Sequence, residues 1–134
     1  MKTYKLISLS LMMVFIVVGG AFLFIPGKVL LFFNNLSGFF GLPLIPIHEA
    51  GFYHILAVGY MYLVAAIAYL MFRHPEDSDF PLLLAHGKFA SSFLSLCFAL
   101  AFKPYLILWV NCIADGVIGL LGFHFYRELR RENA

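Results

Sequence analysis

Four long apolar runs make up most of this chain, the first two parted by a long apolar insert and the others by short polar segments. From Leu6 to Gly27 there is no charge, and "LISLSLMMVFIVVGGAFLF" is long enough to cross a bilayer once before Pro26 ends the helix. A second uncharged run, Ala50 to Phe72, is stopped by "RHPEDSD", whose charges and proline read as a solvated turn. Asp79 ahead of Pro81 supplies an N-cap and a proline near the first helical position, so a third helix is predicted from Pro81 to Phe102. Lys103-Pro104 makes a tight turn, and a fourth helix runs from Pro104 to about Arg127, where the polar tail "RELRREN" begins. The runs are continuously apolar rather than alternating, which excludes a β-barrel. The pattern predicts an all-α integral membrane protein, an antiparallel bundle of four transmembrane helices near 6–25, 50–72, 81–102 and 104–127, forming one domain over 1–134.

Between the first two helices, "GKVLLFFNNLSGFFGLPLIPIHEAG" is too apolar for an aqueous loop. Val29 to Phe33 is too short to span, and Asn34, Asn35 and Ser37 supply a polar edge, so a short interfacial or re-entrant helix is predicted within 27–47. Two roles are open to it: a hydrophobic cap over the bundle, or a lid at the mouth of a site for an apolar ligand.

Composition agrees with the pattern: 63% of residues are hydrophobic and 12% charged, and the mean hydropathy of +0.93 lies far outside the range of soluble domains. The net charge of +2 is small and scattered, which argues against a nucleic-acid partner. Its distribution is more informative. Lys2, Lys5, Arg73, Lys88, Arg127, Arg130 and Arg131 fall on or near the side of the two termini, and Lys28 and Lys103 on the other; seven against two predicts cytoplasmic termini. Lys2 and Lys5 ahead of an apolar stretch also resemble a secretory signal, but the stretch is long and no A-x-A-like cleavage site follows, so a retained helix is expected.

Asp115 stands alone in the apolar run "NCIADGVIGL". Because the turn at Lys103-Pro104 is short, residue depths mirror across it, and Asp115 lies level with about Ser92 while Lys88 lies one turn, roughly 6 Å, beyond. Asn111, Asp115, Gly119 and Gly122 share one face of the last helix; Lys88, Ser91, Ser92, Ser95 and Ala99 share one face of the third. Small residues permit close approach and serines hydrogen-bond across helices, so these stripes are expected to meet, with Asp115 held by Lys88, Asn111 and the serines. An unpaired ionised carboxylate at mid-bilayer costs about 3 kcal/mol, so the group is paired or protonated. It is either a packing device or a proton-exchanging, ligand-gripping acid. Gly116, Gly119 and Gly122 also form a small-residue surface open to a partner, though without strict G-x-x-x-G spacing.

The five histidines do not converge on a metal site: His48 and His54 fall on the outer side, and His74, His86 and His124 toward the cytoplasm. His48, Glu49 and His54 form at most a weak ligand mouth, and His86, near Lys88, a possible proton path. Cys97 and Cys112 fall at similar depths on facing helices and are read as buried thiols. Tyr60, Tyr62, Tyr69 and Trp109 read as packing or anchoring residues in preference to the lining of a quinone site. No P-loop, GxSxG, HExxH or paired-carboxylate pattern occurs, so no cofactor and no catalytic residue is expected.

The succession of a first helix closed by "IPGKVL", a Gly-rich apolar insert, a second helix ending in "FRHPED", a third opening with "HGK" and a last carrying "ADG" resembles the DoxX-like class of small four-helix bacterial membrane proteins. The resemblance spans most of the chain, and the long insert before the second crossing departs from it. It implies a compact bundle in the bacterial inner membrane serving as an accessory subunit of membrane redox machinery. Lys88 and Asp115 carry across as the basic start of helix three and the acid of helix four, without an assigned role. Three functions follow from the sequence: a non-catalytic accessory or scaffolding subunit; a binding protein or carrier for an apolar or amphipathic molecule; or a proton-coupled transporter using Asp115. The expected partners are membrane lipids and other membrane proteins or a second copy of the chain.

Overall fold

The computed structural model describes residues 2–46 and 51–132, those from 51 to 54 as backbone only. Among them there are five helices and no strand: α1 (Lys2–Phe24), α2 (Pro26–Phe39), α3 (Gly51–Arg73), α4 (Asp79–Ala101) and α5 (Leu106–Glu132). Four of these, all but α2, are long and apolar enough to cross a membrane, as expected of an integral membrane protein.

Helix α1 packs along α3, α4 along α5, and α3 along α4. Helices α4 and α5 run antiparallel, since Pro81 meets Gly122, Lys88 meets Asp115, and Ser95 meets Asn111, one number rising as the other falls. The apolar core gathers Tyr4 and Phe15 from α1, Val64, Ala65, Ala68 and Met71 from α3, Leu84 from α4, and Phe125 and Leu129 from α5. Helix α5 therefore continues five residues past the predicted end at Arg127. Its last turns read as a polar tail, yet Phe125 and Leu129 are one turn apart on the buried face, and the Tyr4 ring stands edge-on to Phe125 at 4.9 Å. Arg130 and Arg131 suit its C-terminal dipole.

The α3–α4 connection differs from the prediction in detail. The N-cap is Ser78 rather than Asp79, and its side chain makes no capping bond. Instead the Asp77 carboxylate accepts the Asp79 N–H at 2.9 Å. Pro81 then falls third in the helix, where its missing N–H has no intrahelical partner to lose.

A helix does form within the predicted 27–47 segment, and α2 begins directly after α1 because the ladder restarts at once: Ile25 donates to Ala21 and its carbonyl accepts from Lys28 and Val29, while Pro26 fits the first position. It closes in a Schellman motif. Leu42 N–H bonds Ser37 O at 3.0 Å, Gly41 N–H bonds Gly38 O, and Gly41 takes φ +62°, a conformation that excludes most side chains. The polar edge is not one edge. Asn35 is exposed, Ser37 is buried and donates to Phe33 O, and Asn34 clasps Ile45, taking its N–H at 2.8 Å and giving an amide proton to its carbonyl at 3.0 Å. Asn34→Ala removes both bonds, and the Ile45 amide is expected to exchange its hydrogen at least roughly tenfold faster, the effect of losing about 1.4 kcal/mol of local stability. Unchanged exchange by mass spectrometry would show that the clasp does not hold the segment.

Candidate functional site

The buried charged side chains among the described residues are two, Lys88 at 1% exposure and Asp115 at 3%, and they face each other. Lys88 Nζ donates to Asp115 Oδ1 at 2.7 Å, a length typical of a charge-assisted bond. The same ammonium lies 4.5 Å from the centroid of the Phe15 ring and 5.0 Å from that of Tyr60, within the range of cation–π attraction. The four membrane-length helices thus each contribute one side chain: Phe15 from α1, Tyr60 from α3, Lys88 from α4 and Asp115 from α5. Tyr60 closes the shell further by donating its hydroxyl to Gly87 O at 3.1 Å. Two faces of Lys88 that no carboxylate reaches are covered by π-clouds, so the lysine is well held.

Asp115 is less completely satisfied. Its Oδ2 is buried and finds no hydrogen-bond partner among the described residues. Asn111 does not meet it, contrary to the expectation above; it gives one amide proton to Ser91 Oγ at 3.1 Å and the other to Ser95 Oγ at 2.8 Å. Asn111 has two amide protons to give and both are taken by serines of α4, so none is left for the carboxylate. Ser92 instead donates to Cys112 O at 2.7 Å. The stripes therefore form two separate units, the ion pair and an Asn–Ser–Ser cluster a turn away.

His86 joins neither. Two residues from Lys88 is about 200° around the helix, and His86 is exposed with Nδ1 2.9 Å from Leu82 O. His74 and His124 pair loosely with Glu76 and Glu128 on the surface. His48, Glu49 and the side chain of His54 lie outside the described residues. Cys97 and Cys112 are both free thiols, Cys112 standing 3.6 Å from Ser92 Oγ. Among the described residues no three His, Cys, Asp or Glu side chains gather as a metal site would require.

The glycines of α5 face α4, not an open surface: a Cβ on Gly122 would touch Pro81 and Ala85, and one on Gly119 would strike the Phe89 ring. Phe15 escaped the sequence reading, which took Tyr60 as a packing or anchoring residue and not as part of a shell around Lys88. With 16 phenylalanines and 7 tyrosines in the chain, no pattern marks which rings lie level with a buried lysine.

These features define a small helical membrane protein built around one buried Lys–Asp pair. No protein-family model, curated protein or solved structure matches the chain.

Proposed function

We propose that this chain is a non-catalytic accessory or scaffolding subunit of a membrane complex, a four-helix bundle of the DoxX-like kind in the bacterial inner membrane, with both termini cytoplasmic and α2 lying at the outer interface. The observation that carries the reading is where its chemistry points. Lys88 and Oδ1 of Asp115 are spent on each other and on rings of the same chain, which suits a clamp holding four helices in register. The outward surface is large and apolar: Ile113, Val117 and Leu120 form an exposed stripe on α5, one turn between neighbours. A bundle fixed from within and apolar without is suited to docking in the membrane.

The test is purification from native membranes in mild detergent, comparing the wild type with an Ile113→Ala, Val117→Ala, Leu120→Ala triple variant. One membrane protein held at fixed stoichiometry, and lost from the variant while its melting temperature is unchanged, is the expected result. A monodisperse chain that keeps no partner in either form would overturn the reading.

One observation favours the proton-coupled alternative, the unpartnered Oδ2 of Asp115. That reading expects proton uptake by the protein in liposomes under an imposed pH gradient, abolished by Asp115→Asn.

A further inference from the structure

Beside the ion pair, with Tyr60 common to its shell and to the groove floor, an open groove of about 430 Å³ lies between α3 and the α4–α5 pair. That volume falls within the roughly 300–1,000 Å³ of small-molecule sites. Its walls are apolar, with Ala90, Leu94, Phe98 and Leu108, but along its floor run Tyr60, Ser91 and Ser95.

The floor is primed to bond a guest. Serines inside helices commonly turn back onto the carbonyl four residues earlier, as Ser8 does onto Tyr4 and Ser37 onto Phe33, both at 2.9 Å. Ser91 and Ser95 instead accept the two amide protons of Asn111. Each hydroxyl is thereby fixed as an acceptor and must direct its own hydrogen elsewhere. Ser91 has the Tyr60 hydroxyl as a neighbour. Ser95 has no acceptor among the described residues, so its O–H is a donor without a partner. Tyr60 has given its hydrogen to Gly87 O and presents oxygen lone pairs. The floor therefore keeps one unpaired donor, the Ser95 hydroxyl, and the Tyr60 lone pair that Ser91 leaves free, the two roles that a hydroxyl group complements.

Depth decides what carries that hydroxyl. Ser91 is the thirteenth of the 23 residues of α4, close to mid-helix. With a hydrocarbon core about 30 Å thick, mid-helix is about 15 Å from either interface, out of reach of a phospholipid headgroup. A charged head would need a counter-charge, and Lys88 already has one. From Gly87 to Phe98 the groove runs roughly 16 Å along α4, enough for a chain of apolar groups. We infer that the α3–α4 groove binds a neutral lipid with a hydroxyl head, of the long-chain alcohol class, its oxygen set between Ser95 and Tyr60 and its tail along Leu94 and Phe98.

The probe is a long-chain fatty alcohol bearing a diazirine in its chain, photolysed with the protein in liposomes, beside two controls: the alkane of equal length and a phospholipid with the same photolabel. Labelled residues are mapped by peptide mass spectrometry. The alcohol is expected to label the peptides holding Leu94, Phe98 and Leu108 roughly tenfold more than either control, the discrimination of one well-placed hydrogen bond in an apolar medium. Tyr60→Phe is expected to bring the alcohol down toward the alkane level. Leu94→Trp, at a position 55% exposed and away from the ion pair, is expected to abolish labelling without changing the melting temperature. Equal labelling by alcohol and alkane would reduce the groove to ordinary lipid contact, and labelling by the phospholipid above both would overturn the neutral head. Either result would leave the scaffolding reading standing, since that rests on the Lys88–Asp115 clamp and the α5 stripe.

Discussion

Asp115→Ala is expected to destabilise the protein by about 3–5 kcal/mol, the cost of removing one member of a buried pair and leaving the other charge uncompensated. Lys88 would keep the Phe15 and Tyr60 rings but lose its only anionic partner among the described residues. Aromatic faces attract an ammonium by about 0.5–2 kcal/mol, too little to replace a carboxylate at 2.7 Å. The damage is expected to come from the lysine, not from the cavity left by the acid. A Lys88→Met, Asp115→Leu double variant is therefore expected to regain most of the loss, since apolar residues of similar volume replace buried ion pairs at little or no cost. Reversible unfolding in one detergent, followed for both single variants and the double, gives the coupling directly. A double variant no more stable than the singles would mean that the pair does not clamp the helices. Asp115→Asn is expected to fall between, because its carbonyl oxygen can still accept from Nζ while the charge remains unbalanced.

How far this site could be read from the sequence depends on rarity and on chain geometry. Asp115 and Lys88 are conspicuous because charge is scarce inside apolar runs, and the short turn at Lys103-Pro104 ties the depth of one helix to that of the next. The turn also sets Asn111 within reach of Ser91 and Ser95. What a shared helix face lacks is the choice among partners: it set Asn111 with Asp115, whereas both amide protons of Asn111 go to Ser91 and Ser95 on the facing helix. The aromatic shell around Lys88 was not legible, because any of many rings would satisfy the hydropathy pattern equally well. The Asn34–Ile45 clasp joins residues eleven apart through a loop whose course no periodicity fixes. The end of α5 was legible in principle: Phe125 and Leu129 continue the face of Gly122, but the surrounding arginines and glutamates outweighed them in a composition-based boundary.

The second large effect is expected where α5 meets the first turns of α4. In Gly122→Ala the new Cβ would stand 3.0 Å from Pro81 O and 3.3 Å from both Ala85 Cβ and Ala85 N. None of these atoms belongs to a movable side-chain end, so the helices must part, and overpacking of this kind costs about 1–3 kcal/mol. Gly19→Ala meets a similar obstacle on the other pair, Met61 Cβ at 2.9 Å. Gly119→Ala looks worse by distance, 2.7 Å to the Phe89 ring, yet Phe89 is 36% exposed and can swing outward, so a smaller loss is expected. Gly20→Ala has no neighbouring atom within 4 Å and is expected to gain up to about 1 kcal/mol from helix propensity. The order of melting temperatures tests the geometry, and a Gly122→Ala variant as stable as Gly20→Ala would show that α4 and α5 are not in close contact there. Gly122 and Asp115 are seven residues apart on α5, roughly 10 Å, far enough for independent local effects to add. If Gly122→Ala displaces α4 as a rigid body, however, it also stretches the bond from Lys88. The combined loss with Asp115→Ala is then expected to be smaller than the sum of the two, because a helix already moved away has less of the ion pair left to lose.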